Sequence, residues 1–125
     1  MTNRPDFITV DPEMLTVGDL ASKRALYQLH WLLWDEMYEM GGSDKSETRA
    51  IKATIALKRP VRSECFLCEA HKNDCSVCPL HSCLRAPRGL FIEWLEASTP
   101  EARKRISALI RDVVVPYLTR RREIV

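Results

Sequence analysis

A chain of 125 residues has room for one core and excludes two independent enzyme domains, because single domains occupy about 100–150 residues. With 46% apolar and 29% charged residues it has the composition of a folding globular chain and not of a disordered one. The formal net charge of +2 is too small to imply a polyanion partner by itself, but it conceals an acidic stretch, −5 over residues 1–44, and a basic one, +7 over residues 45–125. Such halves create opposed fields if they occupy different faces and cancel if they fold together.

Residues 1–18, with Pro5, Pro12 and Gly18 among mixed polarity, read as an extended lead-in. They lack a basic stretch followed by a continuous apolar one, so no secretory leader is expected. No apolar run approaches the ~20 residues of a membrane span, and the expectation is a cytoplasmic protein without a membrane partner. Over residues 19–40, Leu26, Leu29, Leu33, Met37 and Met40 recur every three or four positions and predict a helix that Gly41 and Gly42 end. Tyr27, Trp31, Trp34 and Tyr38 form a second stripe beside the first. A helix apolar around more than half its circumference must be covered on two sides, either wholly by core or with one stripe left for a partner.

Asp44, followed three residues later by Glu47, is a capping-box variant that opens a second helix running to about residue 58, before Pro60. Ile51 and Ile55 give it a narrow apolar stripe. Lys45, Arg49, Lys52 and Arg59, with Arg62 beyond, make a basic ridge that can follow phosphates; its plainer reading is a solvated face. After a turn at Ala86, Pro87, Arg88 and Gly89, residues 90–97 predict a short helix with Phe91, Trp94 and Leu95 on one side. Thr99 as N-cap and Pro100 as first helical residue start the last helix. Its expected buried face is Ala102, Ile106, Leu109, Ile110, Val113 and Tyr117, and Pro116 should kink or end it. Arg120, Arg121 and Arg122 lie in a basic tail.

All five cysteines fall within residues 65–83. Residues 64–83 read ECFLCEAHKNDCSVCPLHSC, so Cys65 and Cys68 form one CxxC, Cys75 and Cys78 a second, and Cys83 follows. An odd count cannot pair completely as disulfides, and in a reducing compartment clustered thiols are better explained by metal. Two intervening residues let both thiols of a CxxC face one ion, and a tetrahedral zinc site takes four such ligands. Asn73 and Asp74 supply a turn between the pairs. Because the ligands converge only in the folded chain, zinc binding there would be folding energy. Cys65, Cys68, Cys75 and Cys78 are the simplest ligand set. Cys83 competes for either place in the second pair. His71 and His81 are further donors by chemistry but are read as histidines at the surface or behind the ligands. An iron-sulfur cluster is the alternative cofactor, since Pro79 follows Cys78 as in ferredoxin runs, although the spacing differs. A thioredoxin-like role lacks the βαβ pattern.

A CxxC, a second CxxC followed by proline, a further cysteine and then a helix bearing Trp94 resemble small cysteine-rich proteins encoded by bacteriophages and prophages. The resemblance covers roughly residues 64–96 and implies a phage-type accessory protein without supplying catalytic residues. A zinc deaminase would need HxE before PCxxC, and His71 and His81 are followed by Lys72-Asn73 and Ser82-Cys83. With no nucleophile and base, paired carboxylates or open metal position in view, no enzyme and no small-molecule substrate is expected.

The whole is therefore expected to be a mainly α, single-domain protein of about four helices, stapled by a cysteine-rich metal-binding segment. Its parts are the lead-in 1–18, two helices in 19–59, the metal segment 64–83, C-terminal helices in 90–118 and a basic tail 119–125. The expected role is zinc-stabilised binding of another protein. The alternative is a nucleic-acid-binding regulator using Lys45, Arg49, Lys52, Arg59 and Arg62, joined by Arg85, Arg88 and the tail.

Overall fold

The computed structural model describes residues 4–72, 74, 77–80 and 89–119. These residues are mainly helical and contain no strand: α1 (Lys23–Met40), α2 (Arg49–Ala56), α3 (Phe66–His71), α4 (Leu90–Glu96), α5 (Pro100–Asp112) and α6 (Val115–Thr119). The expected helix over residues 19–40 begins late. Ser22 is extended and its Oγ accepts the Ala25 N–H at 3.2 Å, so α1 starts at Lys23 and Asp19–Ala21 forms a separate 3-10 turn. Gly41 ends it as expected, with φ +63 and its N–H on the Met37 carbonyl at 2.8 Å.

α1 is the central element, packed most extensively on α5 and next on α3. Both of its stripes are buried: Leu26, Leu29, Leu33 and Met37, and beside them Tyr27, Trp31 and Trp34. Only Tyr38 and Met40, near the C-terminal end, are exposed. Tyr27, Trp31 and Trp34 of the aromatic stripe therefore serve the core. Trp34 meets Trp94 of α4 edge-on with centroids 5.0 Å apart, and Tyr27 meets Tyr117 of α6 in the same way at 5.7 Å. Burying each such ring is worth ~1.5–3 kcal/mol, with about 0.5–1.5 kcal/mol more for the edge-to-face geometry.

The lead-in is more ordered than its composition predicts. Gln28, buried on α1, accepts the N–H groups of Thr9 and Val10 at 2.6 and 2.9 Å. Ile8 and Leu15 join the core. The second helix also differs: Asp44 caps only the 3-10 turn Lys45–Glu47, and Thr48 caps α2, its Oγ1 accepting the Ile51 N–H at 3.4 Å. α2 buries Ala50, Ile51 and Thr54, while Ile55 is 58% exposed. Thr99 and Pro100 start α5 as expected. The chain breaks after Asp112 and resumes as α6, with Pro116 in its first turn, where a missing N–H is harmless. Leu109 and Leu95 depart from their expected faces and are 54% and 56% exposed.

Acidic and basic parts neutralise one another. Asp35 of α1 pairs with Arg111 of α5 at 2.9 Å, and Arg49 reaches Glu36 at 3.4 Å and Glu13 at 3.7 Å. Each pair joins a carboxylate of residues 1–44 to a guanidinium of residues 45–125. Arg111 also lies over the rings of Trp31 and Tyr38, at 5.4 and 5.3 Å. No described helix is long and apolar enough to cross a membrane.

Candidate metal centre

The first CxxC lies at the start of α3, a helix the cysteine spacing did not announce. Phe66, Leu67 and Ala70 pack into the core and hold it there. Cys65 is its N-cap: the backbone is extended and Sγ accepts the Cys68 N–H at 3.4 Å. Cys68 falls in the first helical turn, so the two thiols are neighbours. A hydrogen bond from the Cys68 side chain, against the opposing effect of burial, lowers the Cys65 thiol to about 6 from 9.0; the Cys68 and Leu67 N–H groups and the Lys45 charge act in the same direction. A thiolate is the form a metal requires.

His71 ends α3, where Lys72 turns left-handed with φ +52. His71, expected at the surface or behind the ligands, is not at the surface: it is only 6% exposed. Its Nε2 lies 2.7 Å from the Tyr27 hydroxyl of α1, while Nδ1 is buried with no hydrogen-bond partner. Burial lowers the His71 pKa, with Lys23 adding to the shift and Asp74 opposing it. Cys78 is buried and close enough to Tyr27 for its charge to add to the upward shift that burial imposes on the phenol.

Cys65, Cys68 and Cys78 carry thiols. Cys75, Cys83 and His81 lie outside the described residues, as do Arg85, Arg88 and Arg120–Arg122 of the basic reading. Among the described residues no three His, Cys, Asp or Glu side chains converge closely enough to hold an ion. Among the described residues Cys65 and Cys68 are the cysteines brought together, which is one half of the expected staple. The donor chemistry nevertheless suits zinc: a thiol biased toward thiolate, its CxxC partner, and a buried imidazole nitrogen with nothing to bond. The partnership of Tyr27 with His71 had no signal in the sequence beyond the place of Tyr27 in an apolar stripe.

The basic ridge is largely occupied. Lys45 donates to the Ser63 carbonyl at 3.1 Å and sits 4.7 Å from the Phe91 ring centroid. Arg49 is held by Glu13 and Glu36, and Arg62 lies 3.9 Å from Glu69. Lys52 and Arg59 are exposed. α4 and α5 flank an open groove of about 370 Å³ lined by Glu93, Glu96, Ala102, Arg105, Ile106 and Leu109, among others. No protein-family model, curated protein or solved structure matches the chain.

Proposed function

We propose that this chain is a non-enzymatic, zinc-stabilised helical protein, a phage-type accessory factor that binds another protein. The observation that carries the binding role is the α4–α5 groove. With both α1 stripes in the core, Leu109 and Leu95 are the large apolar side chains that α5 and α4 leave exposed, and Leu109 stands on the groove wall. The groove combines Ala102, Ile106 and Leu109 with Glu93, Glu96 and Arg105, and apolar side chains with polar neighbours are the usual composition of a partner site. Glu96 on the α4 wall and Arg105 on the α5 wall suit an amphipathic helix of a partner protein, with an apolar residue against Ala102, Ile106 and Leu109, a basic one facing Glu96 and an acidic one facing Arg105. The zinc site is supported by the paired Cys65 and Cys68 and, if formed by four protein donors, is closed to substrate and structural.

A photo-crosslinking residue at position 98, where Ser98 lines the groove, in the otherwise wild-type chain and in Leu109→Glu, tests the groove in the cells that make the protein. The expected outcome is a crosslink to one amphipathic segment of a partner protein, lost in Leu109→Glu while the circular dichroism spectrum is unchanged. Absence of that crosslink overturns the reading. So does binding of duplex or single-stranded nucleic acid that weakens steeply with salt, an outcome that would restore the basic residues as the functional face.

A further inference from the structure

Side-chain oxygens of Ser22, Thr48 and Thr99 cap α1, α2 and α5, but α3 is capped by a thiol, the Cys65 Sγ that accepts the Cys68 N–H at 3.4 Å. Sulfur is a weak acceptor and cysteine is not among the residues that N-caps favour, so capping does not account for Cys65. The backbone that delivers it is strained. Ser63 and Glu64, just before it, both have left-handed φ, +55 and +50, a conformation that residues with a Cβ avoid. Two contacts hold this turn: Lys45 Nζ donates to the Ser63 carbonyl at 3.1 Å, and the Glu69 carboxylate of α3 accepts the Arg62 N–H at 3.0 Å. The Cys65 sulfur is thereby laid on the start of α3, where the Cys68 thiol also donates to it. Both cysteines are part-exposed, whereas Cys78 is buried.

We propose that Cys65 and Cys68 form a redox-active dithiol, which a low-molecular-weight disulfide converts reversibly into an intramolecular disulfide. The pair needs no third donor and no other segment, so the inference stands whether or not zinc binds. Thiol–disulfide exchange requires adjacent sulfurs and an accessible attacking thiolate, not the βαβ frame of thioredoxins. A disulfide needs its Cα atoms ~4.4–6.8 Å apart, and helix geometry separates residues three apart by about 5 Å. The two hydrogen bonds to the Cys65 sulfur make it the attacking atom. Cys65, as thiolate, attacks one sulfur of the small disulfide and expels the other half as a thiolate, leaving a mixed disulfide on Cys65. Cys68, also deprotonated, then attacks the Cys65 sulfur and expels the second thiolate. The chain loses two electrons and two protons, and the small disulfide becomes two thiols. The oxidised form closes the first turn of α3 covalently and withdraws both sulfurs as thiolate donors.

The test equilibrates the purified full chain, with metal content measured, and a second sample under chelator with glutathione disulfide, then maps the cysteines by alkylation and mass spectrometry. The expected product is a peptide holding both residues, lighter by two hydrogens, that dithiothreitol restores. Cys68→Ser should stop at the mixed disulfide on Cys65, while Cys65→Ser, which keeps an oxygen cap on α3, should leave Cys68 a thiol. In urea the two variants should behave alike, since the preference for Cys65 comes from the fold. Oxidation confined to the chelated sample supports the proposal and shows that bound metal shields the pair. Thiols that persist at both positions in both samples overturn it, and so do disulfides joining either residue to Cys75, Cys78 or Cys83. Metal content decides the zinc reading separately, so either can fail without the other.

Discussion

His30 Nε2–H donates to the Ile110 carbonyl at 2.7 Å, joining α1 to the last turn of α5 across 80 positions of sequence. α5 stops at Asp112, and the Ile110 carbonyl near its end accepts a long bond, 3.4 Å, from the Val113 N–H; a histidine buried on α1 supplies a second, shorter one. Burial lowers the His30 pKa from 6.5 to about 4; the bond to Ile110 opposes this and Lys45 adds to it. A base with a depressed folded pKa is held neutral by the fold. Its contribution is complete above about pH 6.5 and is withdrawn as the pH falls from there toward 4, by up to ~3 kcal/mol. The lowered pKa of His71 acts in the same direction, and the raised pKa of Asp35, a burial effect that outweighs Arg111, acts against it. Urea midpoints at pH 7 and pH 5 should fall more between the two for wild-type protein than for His30→Gln, which keeps a donor but cannot take up a proton. Equal falls would remove His30 as the source.

Gly41 should accept a side chain only at a cost. Its φ of +63 is left-handed, and a Cβ there would sit 3.2 Å from Pro100 Cβ and 3.2 Å from Lys104 Cε of α5. The Arg103 side chain also donates to the Gly41 carbonyl at 2.8 Å, so the helix stop and the α5 docking site are one point of the chain. Gly41→Ala is expected to cost about 1–2 kcal/mol from backbone strain and crowding together, read as a shift of the denaturant midpoint without a change in slope. Gly42→Ala, whose added Cβ would meet nothing closer than Met40 Cε at 3.5 Å, should cost much less.

The two α2 isoleucines separate what the pattern could and could not predict. Four residues apart, Ile51 and Ile55 read as one stripe; Ile51 is buried, whereas Ile55 faces out and Ala50 and Thr54 complete the buried face. Ile51→Ala should destabilise by ~2–5 kcal/mol through the cavity it leaves, and Ile55→Ala by less than about 0.5 kcal/mol. Comparable losses in equilibrium unfolding would mean that α2 docks through a different face.

Legibility followed the same division. α1 was readable because its two stripes are long and unbroken, and the start of α5 because Thr99 and Pro100 act locally. The lead-in was not, since its order comes from Gln28, a residue 18 and 19 positions away that no local pattern reveals. α3 was hidden because the cysteines drew the metal reading across six residues whose apolar members, Phe66, Leu67 and Ala70, also fit a helix against α1. Leu109 was misplaced because a 3.6-residue stripe is wide enough to include a position at its edge, and only the packing of α4 decides which edge is covered. Of the cysteine segment, the donor chemistry alone was legible: whether ligands converge depends on long-range closure, which residue spacing cannot express, and among the described residues no three of them do.

If the cysteine segment binds zinc as proposed, removing the metal should loosen one end of the molecule and not dissolve it. The contact of α1 with α5 and the Trp34–Trp94 pair involve no cysteine, so the main core does not depend on an ion. The segment beyond α3 has few apolar anchors of its own, Cys78 and Leu80 among the described residues. If zinc binds there, chelation should lower the melting temperature through the loss of ligand linkage, with far-ultraviolet ellipticity changing little. Amide exchange should then quicken around Cys68 to Leu80 while the interiors of α1 and α5 keep their protection. Complete loss of helicity on chelation, as in a zinc finger whose fold exists only with its ion, would show instead that the metal governs the whole chain. An unchanged melting curve and exchange pattern would show that no ion holds this segment.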